Sequence, residues 1–279
     1  MRIGIITEDV CSLPERMVRD LGIEIVKTKL YFPEWEKFPE KNLYQLMKET
    51  RATPKTSAPP PGEYLKAYRK LAKDFERILV ITVSSKLSAC YNSAHQAREQ
   101  FEEPEKIFIF DSWQAVAGQG LLVLKAVELL QEGKEINEIL KELEVLKRKI
   151  QFFAFLKTTY WAEKIGRVNK WQGIVFQILK ALGIQPYLGI KNGVVKLTGF
   201  NLWTYDEFEA MFNQLKHQVK KGKLRVGINY TDNVDFAMGL KERVEKKLNS
   251  EVLFVSLVPP IVGANSGPGT LITACYNVE

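Results

Sequence analysis

Between Ile78 and Arg98 the chain reads ILVITVSSKLSACYNSAHQAR. Ile78 to Val83 is a short, almost uniformly apolar run rich in β-branched residues, the pattern of a strand buried on both faces. Ser84 and Ser85 end it, and from Ser88 onward Ala94, Ala97 and Phe101 recur at helical spacing. Strand, polar loop and helix start is the arrangement in which free N–H groups at a helix N-terminus meet an anion. Ser88 stands where an N-cap hydroxyl is expected, and small Ala89 and Cys90 leave room for a ligand to approach the backbone. The same serine also serves simply as a cap.

Strands and helices alternate through the first half: Arg2 to Thr7, Leu13 to Leu21, Ile23 to Thr28, a helix from Glu63 to Lys73, the Ile78 strand, and Lys106 to Phe110. Gly118 and Gly120 then lead into the apolar helix LLVLKAVELL, and another helix runs from Ile136 to Ile150. This alternation predicts a mostly parallel sheet with helices on both faces. Glu8, Asp9, Ser84, Ser85, Asp111 and Ser112 are expected at the strands' carboxyl ends, where such sheets bind ligands. Leu30 to Lys41 reads as irregular. RATPKTSAPPPG, from Arg51 to Gly62, reads as a loop stiffened by prolines that holds Thr56 and Ser57. The second half differs. Tyr187 to Ile190 and Val194 to Thr198 flank Asn192-Gly193, a strong hairpin signal, and helices and strands follow to a turn at PPIVGANSGPG and a last strand near Leu271 to Tyr276. The expectation is an α/β protein of two domains: an N-terminal α/β domain over 1–150 and a smaller C-terminal α+β domain over 151–279.

The chain has 279 residues, a net charge of +7 and three cysteines at wide spacing. That cysteine pattern argues against a disulfide framework. With MRIGIITEDV running straight into a strand pattern, a cytoplasmic location with reduced thiols is expected. The densest basic stretch, Lys216 to Arg225, sits at a helix end, where cations complement the dipole, and Phe208 and Phe212 read as core. Nucleic acid is therefore not the expected partner. There is no H-E-x-x-H, C-x-x-C, G-x-S-x-G or Walker A pattern, and Val123 replaces the third glycine of a dinucleotide fingerprint. No metal site, cofactor or catalytic set is expected. Hydroxyl donors, a glycine-rich stretch at Gly263 to Gly269 and much apolar surface suit holding an anionic head group better than breaking bonds. The alternative is an α/β enzyme acting on a small phosphate- or carboxylate-bearing substrate through Glu8, Asp9 and Asp111.

Four ordered stretches resemble the DegV family of bacterial fatty-acid-binding proteins. IITEDVCSLP, from Ile5, resembles its first strand and Thr-Asp-Ser-type loop, and TSAPPPGEY, from Thr56, its Thr-Ser-x-Pro-Ser-Pro-Gly-Glu-Phe motif. SSKLSACYNSA, from Ser84, resembles Ser-Ser-x-Leu-Ser-Gly-Thr-Tyr-x-Ser-Ala, and GANSGPG, from Gly263, the Gly-x-His-x-Gly-Pro-Gly loop. The resemblance implies two α/β domains with a lipid cavity between them. It also implies a long-chain fatty acid as ligand and a separate ATP-dependent fatty acid kinase subunit that phosphorylates the presented carboxylate. Thr56 and Ser88 match the hydroxyls that hold the carboxylate, and Ser57, Ala89 and Arg167 match positions near the head group. Asn265 stands where the family loop has His; it donates a hydrogen bond but carries no charge. Transient docking on membranes to load or unload lipid is compatible with this role.

Overall fold

The computed structural model describes residues 2–278 apart from Ile165, Arg167, Val168 and Lys221. In chain order the elements of the first half are β1 (Ile3–Glu8), α1 (Glu15–Asp20), β2 (Glu24–Val26), β3 (Lys29–Tyr31), α2 (Glu34–Lys37), α3 (Leu43–Thr50), β4 (Lys55–Ser57), α4 (Pro61–Leu71), β5 (Arg77–Thr82), α5 (Cys90–Glu99), β6 (Ile107–Asp111), α6 (Val116–Gln131) and α7 (Ile136–Lys149). Those of the second half are β7 (Gln151–Phe155), α8 (Tyr160–Lys164), α9 (Lys170–Ala181), β8 (Gln185–Lys191), β9 (Val194–Asn201), α10 (Glu207–Gln218), β10 (Lys223–Tyr230), α11 (Val234–Lys247), β11 (Ser250–Leu257), α12 (Pro260–Ser266) and β12 (Leu271–Val278).

The chain forms two compact units: residues 1–29, 58–150 and 190–195 make the first, and residues 30–57, 151–189 and 196–279 the second. The first is built on a four-stranded sheet in the order β2-β1-β5-β6, parallel throughout. Ile78, Leu79, Val80 and Ile81 of β5 are all fully buried. Successive side chains of a strand point to opposite faces, so both faces of this sheet are covered. Helix α6 is buried nearly all round, as its strongly apolar sequence requires. The Asn192-Gly193 turn has both residues at positive φ, the geometry of the tight hairpin turn. A Cβ at Gly193 would also lie 2.6 Å from Ser84 Oγ.

The second unit has a six-stranded sheet in the order β11-β10-β12-β7-β8-β9. β10 and β11 are parallel, while β12 is antiparallel to both β10 and β7. Helices α10 and α11 bury Met211, Phe212, Leu215, Leu240 and Val244 against Val226, Ile228 and Cys275 of this sheet.

A division into two consecutive segments at residue 150 places 30–57 in the first unit; the structure groups that segment with the second. The reason is a separate small core in which Phe32, Leu43, Tyr44, Leu46 and Met47 pack with Trp161. The second unit is therefore the larger by residue count. The segment is also more regular than its sequence, since β3 and β4 pair as a two-stranded sheet. Among the described residues no helix is long and apolar enough to cross a membrane.

Candidate functional site

The carboxyl ends of β1, β5 and β6 carry the polar residues that the alternating pattern places there, and each of them is hydrogen-bonded within the first unit. Glu8, at the end of β1, is fully buried. Its Oε2 accepts from the Val83 N–H at 3.0 Å and from Gln119 Nε2 at 2.8 Å, and its Oε1 accepts from the Tyr64 hydroxyl. Gln119 Nε2 also reaches Thr7 Oγ1 and the Ile81 carbonyl. Burial outweighs these donors and raises the Glu8 pKa from 4.5 to about 7. Asp9 accepts from the Thr28 N–H at 3.2 Å and from its hydroxyl at 3.0 Å, and burial raises its pKa too. Asp111 accepts from the Ser85 N–H at 3.1 Å and its hydroxyl at 2.5 Å, and from the Trp113 N–H at 3.2 Å. Ser84 Oγ donates to the Gly193 carbonyl at 2.8 Å. These carboxylates and serines fasten the loops at the sheet's end.

Ser88 differs from them. The N-cap of α5 is Ala89 rather than Ser88: the Leu87 and Ser88 N–H groups turn back onto the Ser84 carbonyl, so Ala89 is the first residue whose carbonyl accepts a helical bond, from Ser93. The N-cap residue Ala89 itself makes no side-chain cap bond. Ser88 is half-buried and Ala89 exposed. Ser88 Oγ lies 3.1 Å from Cys90 Sγ and accepts a long, 3.4 Å bond from the Cys90 N–H. The helix start thus offers a hydroxyl and unbonded N–H groups on an accessible surface. Burial pushes the Cys90 thiol up to about 12 and the Cys11 thiol likewise, so both stay neutral and unreactive near neutral pH.

The remaining candidates belong to the second unit. Thr56 and Ser57 are exposed residues of β4, a short strand rather than the loop expected. The glycine-rich stretch is not a flexible turn. Pro260 starts a short helix there, α12, whose last turn closes with the Gly267 N–H on the Gly263 carbonyl at 2.8 Å. Gly267 has φ +80 and a Cβ there would meet the Trp161 ring at 1.9 Å, so glycine is required by backbone and space together. Asn265 Nδ2 donates to the Ile261 carbonyl at 3.1 Å, which engages it within its own helix. Helix α12 packs beside β4. Thr56, Ser57 and Asn265 therefore lie on neighbouring elements of one unit, and Ser88 and Ala89 adjoin in the other. Arg167 lies outside the described residues. Among the described residues no group of three or more His, Cys, Asp and Glu side chains is placed to hold a metal ion.

Two features escape sequence reasoning. Tyr64 and Gln119 as partners of Glu8 lie 56 and 111 residues away along the chain, and no local pattern signals such pairs. Helix α9 has the apolar spacing of a core helix, yet Trp171 is 77% exposed, and Ile174, Val175, Ile178 and Leu182 are at least half exposed. The Thr204 N–H bonds to the Gly183 carbonyl at 2.8 Å, which sets Trp203, also exposed, near the end of this face.

The raised Glu8 pKa has a defined sign. Its carboxyl binds a proton more tightly folded than unfolded, so the stability it contributes is present at low pH and is lost as pH rises from about 4.5 to about 7. Glu8→Gln keeps the two acceptor bonds on one oxygen and removes the charge. It should stabilise the protein by about 3 kcal/mol at pH 8 and by less than about 1 kcal/mol at pH 5. Urea unfolding of both proteins at the two pH values checks this; an equal difference at both would show that Glu8 does not titrate in this range.

Comparison with known proteins places this architecture. The family model described as "Uncharacterised protein, DegV family" matches residues 2–276. A "Fatty acid-binding protein" of Thermotoga maritima is 28% identical, over 97% of this chain and 96% of that one. A DegV domain-containing protein of Clostridium acetobutylicum is 32% identical over 95% of each. The structure titled "Fatty Acid Binding of a DegV family Protein from Thermus thermophilus" superposes with a TM-score of 0.86 at 26% identity and covers 100% of both chains. With a family match over nearly its whole length, and an α/β fold shared throughout, this chain belongs to the DegV family.

Proposed function

We propose that the protein binds a long-chain fatty acid, burying the acyl chain and hydrogen-bonding the carboxylate, and performs no catalysis itself. The observation that carries this reading is Ser88: a half-buried hydroxyl beside the start of α5, in a chain whose relatives are named for fatty acid binding. Burial of an alkyl chain contributes about 0.8 kcal/mol per methylene, so a chain of roughly fifteen gains on the order of 10 kcal/mol before ordering costs. The tail then dominates affinity. The carboxylate loses water, which costs several kcal/mol unless donors replace it. Ser88 and Thr56 hydroxyls supply donors in this reading, with the Ala89 amide, Ser57, Asn265 and Arg167 as supporting groups. Hydroxyls hold the head without a tight ion pair and leave it available to a phosphoryl donor. A separate ATP-dependent kinase subunit that converts the presented carboxylate to an acyl phosphate is the partner this arrangement suits. Formation of acyl phosphate on mixing loaded protein, ATP and such a subunit is the decisive assay for it. Glu8, Asp9 and Asp111, on which a small-substrate enzyme would rest, are each engaged within the first unit.

The exposed face of α9 supports a second contact. A helix with Trp171, Ile174, Val175 and Ile178 on one face and Lys170 at its start has the character of a helix that lies in a bilayer interface. We read it as the surface that touches membranes when lipid is exchanged.

Two outcomes test these readings. Ser88→Ala and Thr56→Ala should each weaken fatty-acid binding by roughly fivefold or more with the fold unchanged, since each removes a hydrogen bond to a charged group; unchanged affinity in both variants would refute the head-group assignment. Ile174→Asp with Ile178→Asp should abolish sedimentation with anionic phospholipid vesicles, and retained sedimentation would refute the role of α9.

A further inference from the structure

Trp113, in the loop after β6, has three cations gathered on its ring. Lys147 Nζ is 4.4 Å from the ring centre, the Arg148 guanidinium 4.9 Å and Lys86 Nζ 5.6 Å, all within cation–π range. All four residues belong to the first unit. No two of these cations can lie farther apart than twice the longest of these distances, a span comparable to the Debye length of ~10 Å at 0.1 M salt, so they repel one another. The acids nearby do not balance them. Among the described residues Glu144 is the acid that pairs with Lys147 and Arg148, at 2.6 and 2.8 Å. The Asp111 carboxylate is turned to Ser85 and the Trp113 N–H.

The cluster is held in place. Lys86 Nζ donates to the Asn192 carbonyl at 2.9 Å. The Lys147 side chain is only 6% exposed; its ammonium donates to the Asp111 carbonyl at 3.3 Å and also lies 4.9 Å from the Phe110 ring centre. Trp113 has φ +54 and Val116, three residues on, φ +47, a region that bulky and β-branched residues rarely adopt. Lys86 and Arg148 are exposed. We propose that Trp113, Lys86 and Arg148 form a docking surface for an acidic segment of a protein partner, with buried Lys147 as its support. Carboxylates of the partner relieve the repulsion among the cations, and charges already fixed in place lose little freedom on binding. Lys86 precedes Ser88 by two residues, in the turn whose Leu87 and Ser88 N–H groups bond to the Ser84 carbonyl. A partner docked there stands beside the hydroxyl assigned above to the carboxylate, where a separate kinase subunit must act. That role for the partner rests on the reading of Ser88; the surface itself does not.

Two other occupants fit less well. The indole is engaged by the protein's own cations rather than left as a platform on which a nucleotide base stacks. A bilayer needs apolar side chains to insert, and among the described residues Val145 and Val195 are the only exposed large apolar ones of the first unit. Trp and Arg together are the residues that anchor protein interfaces.

The test is titration of the full chain with an eight-residue glutamate peptide, followed by calorimetry and indole emission. Binding should weaken roughly tenfold between about 0.05 and about 0.3 M salt. Lys86→Glu with Arg148→Glu should abolish it. Lys216→Glu with Lys220→Glu changes the net charge equally in the densest basic stretch of the sequence and should keep the affinity within about threefold. Trp113→Phe retains a ring for the cations and should bind the peptide without the emission change. Equal loss in the two charge-reversed pairs would overturn the site, as would no binding by the unaltered protein or an unchanged emission response in Trp113→Phe. Tripolyphosphate that binds at these residues more tightly than the peptide would overturn the protein partner in favour of a phosphate ligand. Sedimentation with anionic phospholipid vesicles that is lost in Lys86→Glu with Arg148→Glu would overturn it in favour of a bilayer. Peptide binding by a protein that takes up no fatty acid would refute the assignment of Ser88 and leave the docking surface standing. Should the charge reversals fail to fold, Lys86→Gln with Arg148→Gln carries the same comparison.

Discussion

The first unit depends on one buried carboxyl. Glu8 has no cation to pair with in its hydrogen-bond shell; it is held by a tyrosine from α4, a backbone N–H after β5 and a glutamine from α6. These bonds tie the end of the first strand to three other elements at the point where the parallel sheet presents its loops. A carboxyl so placed is costly to ionise, and its pKa near 7 expresses that cost. An uncharged amide would fasten the same elements more cheaply.

The second unit is organised by packing rather than by a buried carboxyl. Its small core around Trp161 draws in residues 30–57, and so carries Thr56 and Ser57 on β4 beside α12, the helix that holds Asn265. Glycine at 267 lets that helix end against Trp161. Among the described residues the apolar face of α9 is largely exposed. An amphipathic surface of this kind suits the proposed contact with membranes.

Local chemistry was legible before the fold was known. The buried strand at Ile78, the polar carboxyl ends and the Asn192-Gly193 turn all follow from short-range pattern, and the motifs around Thr56, Ser84 and Gly263 carry the family. Long-range choices were not legible. Leu43, Leu46 and Met47 mark a helix face, but nothing local says that this face meets Trp161 in the second unit. α12 hides in a stretch of Pro, Gly and Asn because a seven-residue helix needs only Pro at its start and glycine at its end. Ser88 misses the cap position by one residue, since a turn onto Ser84 comes first. The apolar period of α9 is real, but periodicity reports an apolar face and not what covers it.

The proposed ligand is a long-chain fatty acid. Native mass spectrometry of the freshly purified protein, followed by solvent extraction and identification of any bound molecule, tests this most directly. An added mass equal to one long-chain fatty acid per chain, released on denaturation, is expected. A mass equal to that of the polypeptide alone, unchanged after incubation with added long-chain fatty acids, would contradict it.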